Sequence, residues 1–427
     1  MKHTVTEHKL KSGARGLVIN VPDSNVVNLV VRFASGYQFA DQRTFEVPHV
    51  MEHLLATVTK KYAGPNAFNI EVGKNGAYMN ANTSSDFNGY IYECADFELD
   101  RILDLVEEQL VRPLFAAEPL AAELGNVREE LTRNTTQHPS VCSVRLNEQT
   151  FPGQSLDYEA RLAQLDNITV EAVTDHHRKT HTAANACFVV AGSFDDGGQA
   201  VVARLNQMFD QLEPGKRLSL SQELGRDLAH PVVTSRDIKQ LYYRYELFCG
   251  ELTQPERHAM TLMRLVLLGG MASRIYGEAR RRGLAYHVGG GGQAGKGHSS
   301  FGFAGYVTPV NATALFELIT REMRATLDGQ LTPIELEAAR NLGIGSTKRS
   351  YQTSGDMLGW YLGPYFHEDR ILRFDDYLDE LLQIKPADLT AVAHKIVQPR
   401  RRGISLLGDL DEAQAISYQQ LLDPILT

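Results

Sequence analysis

The chain has 427 residues, 43% hydrophobic and 22% charged, with a formal net charge of −9. Its length exceeds one ordinary core and predicts two domains. The acidic balance argues against nucleic acid as the main partner, and no run of 18 apolar residues suggests a membrane span.

The first nine residues, MKHTVTEHK, carry neither an apolar core nor an Arg/Ser-rich pattern, so no targeting peptide is expected. Cys94, Cys142, Cys187 and Cys249 are scattered, with no C-x-x-C, which fits reduced thiols in a cytoplasm. Residues 16–20 and 26–33 are β-branched-rich runs separated by Pro22-Asp23-Ser24-Asn25 and read as a hairpin. Ser35-Gly36 ends the second run. Thr44 is placed to cap a following helix, with Pro48 tolerated in its first turn.

That helix carries His49-Val50-Met51-Glu52-His53, an H-x-x-E-H pattern. Each helical residue turns about 100°, so His49 and His53 lie one turn apart and Glu52 projects from the same side. Two imidazoles so placed can hold one Zn²⁺, with the carboxylate as base toward a water there. The pattern is the inverzincin signature. Taken alone, it also fits a solvated polar helix face.

Residues 76–83 and 89–94 read as strands, and 97–110 as an amphipathic helix with Leu99, Ile102, Leu103, Val106 and Leu110 on one stripe. Pro119 opens a helix running to about 133 that carries Glu118, Glu123, Glu129 and Glu130. A catalytic zinc takes three protein ligands and keeps one position open. The third must come from beyond the pentapeptide, and an acidic helix is a natural source. Glu123 and Glu130 are two turns apart and share a face. Glu129 points roughly 100° away from Glu130. His177 and His181 form a rival i,i+4 pair without a positioned carboxylate and read as a polar helix face.

Residues 168–196 and 384–412 align without gaps at a spacing of 216, matching Ile168 with Ile384 and Gly192 with Gly408. Each is a helix followed by an apolar strand. A spacing of half the chain implies two domains of one fold. The expected architecture is α+β: two related α/β sandwich domains, 1–212 with the metal set and 230–427 without it, joined by a linker at 213–229. The strand 241–248 corresponds to 26–33. The helix after it, 256–268, carries Met263, Val266 and Leu267 near the equivalents of His49, Glu52 and His53.

In the second half, Arg280-Arg281-Arg282 and Tyr286 lie in a short turn suited to a carbonyl or carboxylate. Gly290, Gly295 and Lys296 nearly spell a phosphate loop, but Gly297 stands where Ser or Thr is needed and a strand follows. A flexible hairpin tip is the better reading. Residues 312–327, 332–349 and 375–382 read as helices, the second with a Thr332-Pro333-Ile334-Glu335 capping box.

Together these residues resemble the M16 family of zinc peptidases, over nearly the whole chain. The elements are His49 to His53, Asn80-Ala81-Asn82-Thr83, Glu123 to Glu130, Ser273-Arg274, Gly283-Leu284-Ala285-Tyr286 and Thr332 to Leu336. The resemblance implies zinc held by His49, His53 and Glu130, which stands 77 residues after His53. It implies Glu123 as a supporting acid, Glu52 as general base, and Asn80-Ala81 on an edge strand that takes up substrate. It also implies an Arg and a Tyr that assist the site. Tyr286 matches; the Arg position falls on Ala279, with Arg280 one residue later and Arg281 or Arg282 as substitutes.

In that family a chain of this length is one half of a clamshell. A homodimer is therefore expected, or a heterodimer with a sister subunit. The expected activity is a cytoplasmic zinc endopeptidase; the alternative is a peptide-binding subunit of the same fold without turnover.

Overall fold

A computed structural model describes residues 2–64 and 66–427; Met1, which begins the stretch read for targeting, lies outside the described residues. The chain forms two compact units, Met1–Arg133 with Tyr158–Ser221 and Ser350–Ile371, and Asn134–Asp157 with Gln222–Arg349 and Leu372–Thr427. The expected division at 213–229 contains the Ser221–Gln222 crossing, but two further segments are exchanged. The helix Ser354–Glu368 belongs to the first unit and the helix His138–Thr150 to the second.

The first unit is built on β1 (Thr4–Lys9), β2 (Arg15–Asn20), β3 (Val26–Phe33), β4 (Tyr78–Thr83), β5 (Asn88–Ala95) and β6 (Ala186–Gly192). Their order is β1-β2-β6-β3-β5-β4. The expected hairpin is therefore corrected: β2 and β3 are not partners, because β6 lies between them, parallel to β2 and antiparallel to β3. Every residue of β6 is buried, as expected for a strand covered on both faces. β1, unforeseen from the sequence, pairs with β2 at the edge. The exchanged helix covers part of this sheet. Arg15 donates to its Tyr365 and Phe366 carbonyls at 3.0 and 2.9 Å, and Asn28 Nδ2 donates to Ser354 Oγ at 3.0 Å.

The second unit is built on β7 (Val232–Ser235), β8 (Leu241–Cys249), β9 (His287–Ala294), β10 (Ser299–Val307) and β11 (Arg401–Gly408), in the order β7-β11-β8-β10-β9. Strand by strand this repeats β2-β6-β3-β5-β4, with the same parallel pair and the same antiparallel pairs. The internal repeat is thus a repeat of topology. Following the pairing registers outward from β6 and β11 makes Gly289 to Gly292 the counterparts of Asn80 to Thr83. The reading of Gly290 to Gly297 as a hairpin tip is corrected accordingly: Gly290 to Ala294 lie in β9, and only the turn closed by Gly295 N–H on His298 O is a tip. Met263, Val266 and Leu267 are buried in the core of this unit.

Candidate metal centre

The H-x-x-E-H pattern lies on the helix Val47–Thr57. At about 100° per residue, Val50, Met51, Leu54 and Leu55 share the side opposite His49, Glu52 and His53. All four apolar residues are buried. Burying them fixes the rotation of the helix and turns its polar side toward the neighbouring acidic helix. The expected Thr44 cap is corrected: the first helical residue is Val47, the preceding Glu46 makes no side-chain cap, and Thr44 contributes only its carbonyl, to Val47 N–H. Pro48 sits in the first turn, where a missing N–H is tolerated.

The acidic helix Ala117–Asn134 brings in Glu123 and Glu130. Glu130 Oε2 lies 3.6 Å from His49 Nε2 and 3.8 Å from His53 Nε2. Potential ligand atoms of these three residues all lie within 4.8 Å of one another, the one such His/Cys/Asp/Glu group among the described residues. A tetrahedral zinc with bonds of about 2 Å sets its ligand atoms about 3.3 Å apart. The cluster fits that ion with small adjustments.

Both imidazoles are oriented from behind. His49 Nδ1 lies 2.9 Å from Glu46 Oε2, and His53 Nδ1 lies 3.1 Å from Glu123 Oε2. A carboxylate that accepts the Nδ1 proton leaves Nε2 with its lone pair, the form a metal needs. Burial opposes charge on His49, but the carboxylates of Glu130 and Glu46 outweigh it and raise its pKa to about 9. The proximity of His49 in turn holds Glu130 down at about 2. Burial pushes Glu123 up, but His53 and Asn126 outweigh it and hold it low.

Glu52 is 8% exposed, and burial raises its pKa. Its Oε2 accepts from Thr83 Oγ1 at 2.9 Å. The direction of that bond follows from the residues behind it. Asn88 Nδ2 reaches the Pro48 carbonyl at 3.1 Å, which only accepts, so the amide must present its nitrogen there. The same nitrogen donates to Thr83 Oγ1 at 2.6 Å, and Ser35 Oγ donates to Asn88 Oδ1 at 2.7 Å. Thr83 therefore donates its one hydroxyl hydrogen bond to Glu52 Oε2, leaving Oε1 for a reacting proton. Thr83 ends β4, whose outer side pairs with no strand among the described residues. Asn80 is exposed and Ala81 half-buried on that edge.

Arg280 and Tyr286 are brought together in the second unit. The guanidinium lies over the ring, 4.4 Å from its centroid, and Tyr286 is 71% exposed. Ala279 is buried in the core, and Arg281 is engaged by Glu278. Among the three arginines, Arg280 is the one that lies over the tyrosine ring. The reading of His177 and His181 as a polar helix face is corrected: His181 is buried, bonded to Tyr90 OH at 2.8 Å and stacked on His177 at 4.7 Å. Glu46, Arg161, Thr83 and Asn88 were not singled out from sequence for these roles. Only Glu46 carried a local signal, an acid three residues before His49.

Fold and site thus define a two-unit α/β protein with a His, His, Glu cluster of metal-ligand spacing and an adjacent carboxylate. The family model for insulinase, peptidase family M16, matches residues 17–162, and the model for the peptidase M16 inactive domain matches residues 167–342. The chain belongs to the M16 family. It is 24% identical over 378 residues to an uncharacterised zinc protease of Streptomyces coelicolor, covering 86% of this chain and 81% of that one. It is 23% identical to the zinc protease PqqE of Helicobacter pylori, covering 90% and 88%. Among solved structures, a Helicobacter pylori protease superposes with a TM-score of 0.84 at 19% identity, covering 95% and 100%. A peptidase M16 inactive domain from Pseudomonas fluorescens superposes with a TM-score of 0.83 at 17% identity, covering 96% and 98%.

Proposed function

We propose that this chain is a zinc-dependent endopeptidase acting on extended peptides or small unfolded polypeptides. The observation that carries the reading is the convergence of His49, His53 and Glu130 beside Glu52, next to an unpaired strand edge. When bound, zinc supplies a Lewis acid that polarises a carbonyl and brings the pKa of water toward about 7. The two histidines and Glu130 hold the ion. β4, through Asn80 and Ala81, takes the substrate as an added strand, gripping the main chain with little regard for sequence. Glu52 Oε1 accepts a proton from the attacking water and delivers it to the leaving amine. Arg280 and Tyr286 stabilise the developing oxyanion when two chains close a chamber, most simply as a homodimer.

A second reading is a peptide-binding subunit of this fold without turnover, or one that needs a sister subunit. The burial of Ala279 at the position expected for the assisting arginine favours it. Cleavage of a quenched fluorogenic peptide library by the purified chain, beside the Glu52→Gln variant and with zinc content measured, separates the readings. The peptidase reading expects cleavage by wild type alone, with zinc retained in both. Turnover in Glu52→Gln would remove Glu52 from the mechanism. Zinc without any cleavage would favour the second reading.

A further inference from the structure

Behind His49 lies a buried charge pair. Glu46, 0% exposed, gives Oε2 to His49 Nδ1 and Oε1 to Arg161 Nε. Arg161 is 9% exposed and comes from the helix Tyr158–Gln164, remote in sequence. Its Nη2 donates to Tyr37 OH at 2.7 Å. Its guanidinium also lies over the rings of Tyr37 and Tyr158, 4.8 and 5.4 Å from their centroids, and Tyr37 stacks on Phe45 at 4.9 Å.

A buried carboxylate is costly unless it is paired and its lone pairs are used. Glu46 meets both conditions with two partners, one on each oxygen. Because Arg161 can only donate, the carboxylate accepts on both sides, so Nδ1 of His49 carries a hydrogen and Nε2 is the nitrogen left to face Glu130 and the ion. His53 is backed differently. Its side chain is 23% exposed against 9% for His49, and its partner Glu123 is held by Asn126 at 3.0 Å, with no arginine paired to it among the described residues.

We propose that Glu46 and Arg161 are positioning residues that fix His49 as the rigid ligand of the metal centre, making zinc affinity depend on this pair more strongly than on Glu123. The inference rests on the zinc reading above.

The test uses the full chain, stripped with a chelator and titrated with zinc against a chelating chromophore. Cobalt(II) substitution supplies a visible absorption spectrum that reports ligand geometry. Outer carboxylates of this kind alter metal affinity by about 10–100-fold. Glu46→Gln and Arg161→Met are each expected to weaken zinc within that range and to shift the cobalt spectrum. Glu123→Gln is expected to do less. The Glu46→Gln/Arg161→Met double variant should resemble the singles rather than multiply them, because both act through one imidazole.

Should Arg161→Met fail to fold, Glu46→Gln and Arg161→Lys decide the matter. Folded Glu46→Gln whose zinc affinity falls by less than about tenfold would overturn the proposal, because an outer carboxylate that orients a ligand alters affinity by at least that much. So would a larger loss in Glu123→Gln than in Glu46→Gln. A wild-type chain that binds no zinc would overturn the peptidase reading itself, and this inference with it.

Discussion

Acid sensitivity of the first unit follows from one buried imidazole. His176 is 7% exposed, and its Nε2 donates to the Ser35 carbonyl at 2.8 Å, directly behind the strand end that feeds the Asn88–Thr83–Glu52 chain. Burial lowers its pKa from 6.5 to about 4. The unfolded chain therefore binds a proton at a pH where the folded protein does not, and stability falls as pH falls. The loss begins near the unfolded value of 6.5 and is complete below the folded value of about 4. Between pH 7 and pH 5 a shift of this size removes about 2 kcal/mol, a large part of a typical 5–15 kcal/mol stability. His177, also lowered to about 4 by burial, and His181, lowered further, act with the same sign. The sole tryptophan, Trp360, lies in the exchanged helix of the first unit, so its fluorescence reports that unit during urea unfolding. The comparison is between wild type and His176→Gln at both pH values. The variant should lose about 2 kcal/mol less between pH 7 and pH 5, because groups common to both proteins cancel. Equal losses would refute the argument.

Two further substitutions probe the support of the site. Thr83→Val removes the donor to Glu52 Oε2 without changing shape. A hydrogen bond to a charged group is worth about 1.5–3 kcal/mol, so kcat should fall at least about tenfold with zinc content unchanged, and Thr83→Ser should restore it. Gly36→Ala places a Cβ against the Ser84 carbonyl oxygen, and only 2.6 Å from Phe87 N. Neither backbone can yield cheaply, so unfolding of the first unit should shift by about 2–3 kcal/mol, measured by the same fluorescence.

The motif helix was legible because its cues are local. Period, spacing and residue type place His49, Glu52 and His53 on one side, and the two-turn spacing places Glu123 and Glu130 on one face. The repeat was legible from a helix and strand on each side, and the matching sheet orders extend it to five strands in each unit. The exchanged helices His138–Thr150 and Ser354–Glu368 were not read at all. Their partners are sheets built mostly from distant sequence. Nor did the turn after β2 reveal its geometry: Pro22 to Asn25 suits a tight connection, yet Val21 N–H bonds the Gly192 carbonyl of the intervening strand. A turn signal says that the chain reverses and leaves open which strand fills the gap.

By itself the sequence determined the identity and local spacing of the groups that carry the chemistry, because a helix converts a spacing of three or four residues directly into shared orientation. Only the tertiary structure decided what stands behind them: Glu46 held by Arg161, and Thr83 oriented by Asn88 and Ser35. These partners meet across elements far apart in the chain. Hydrogen-bond direction depends on which atoms burial forces into contact, and no local period encodes that.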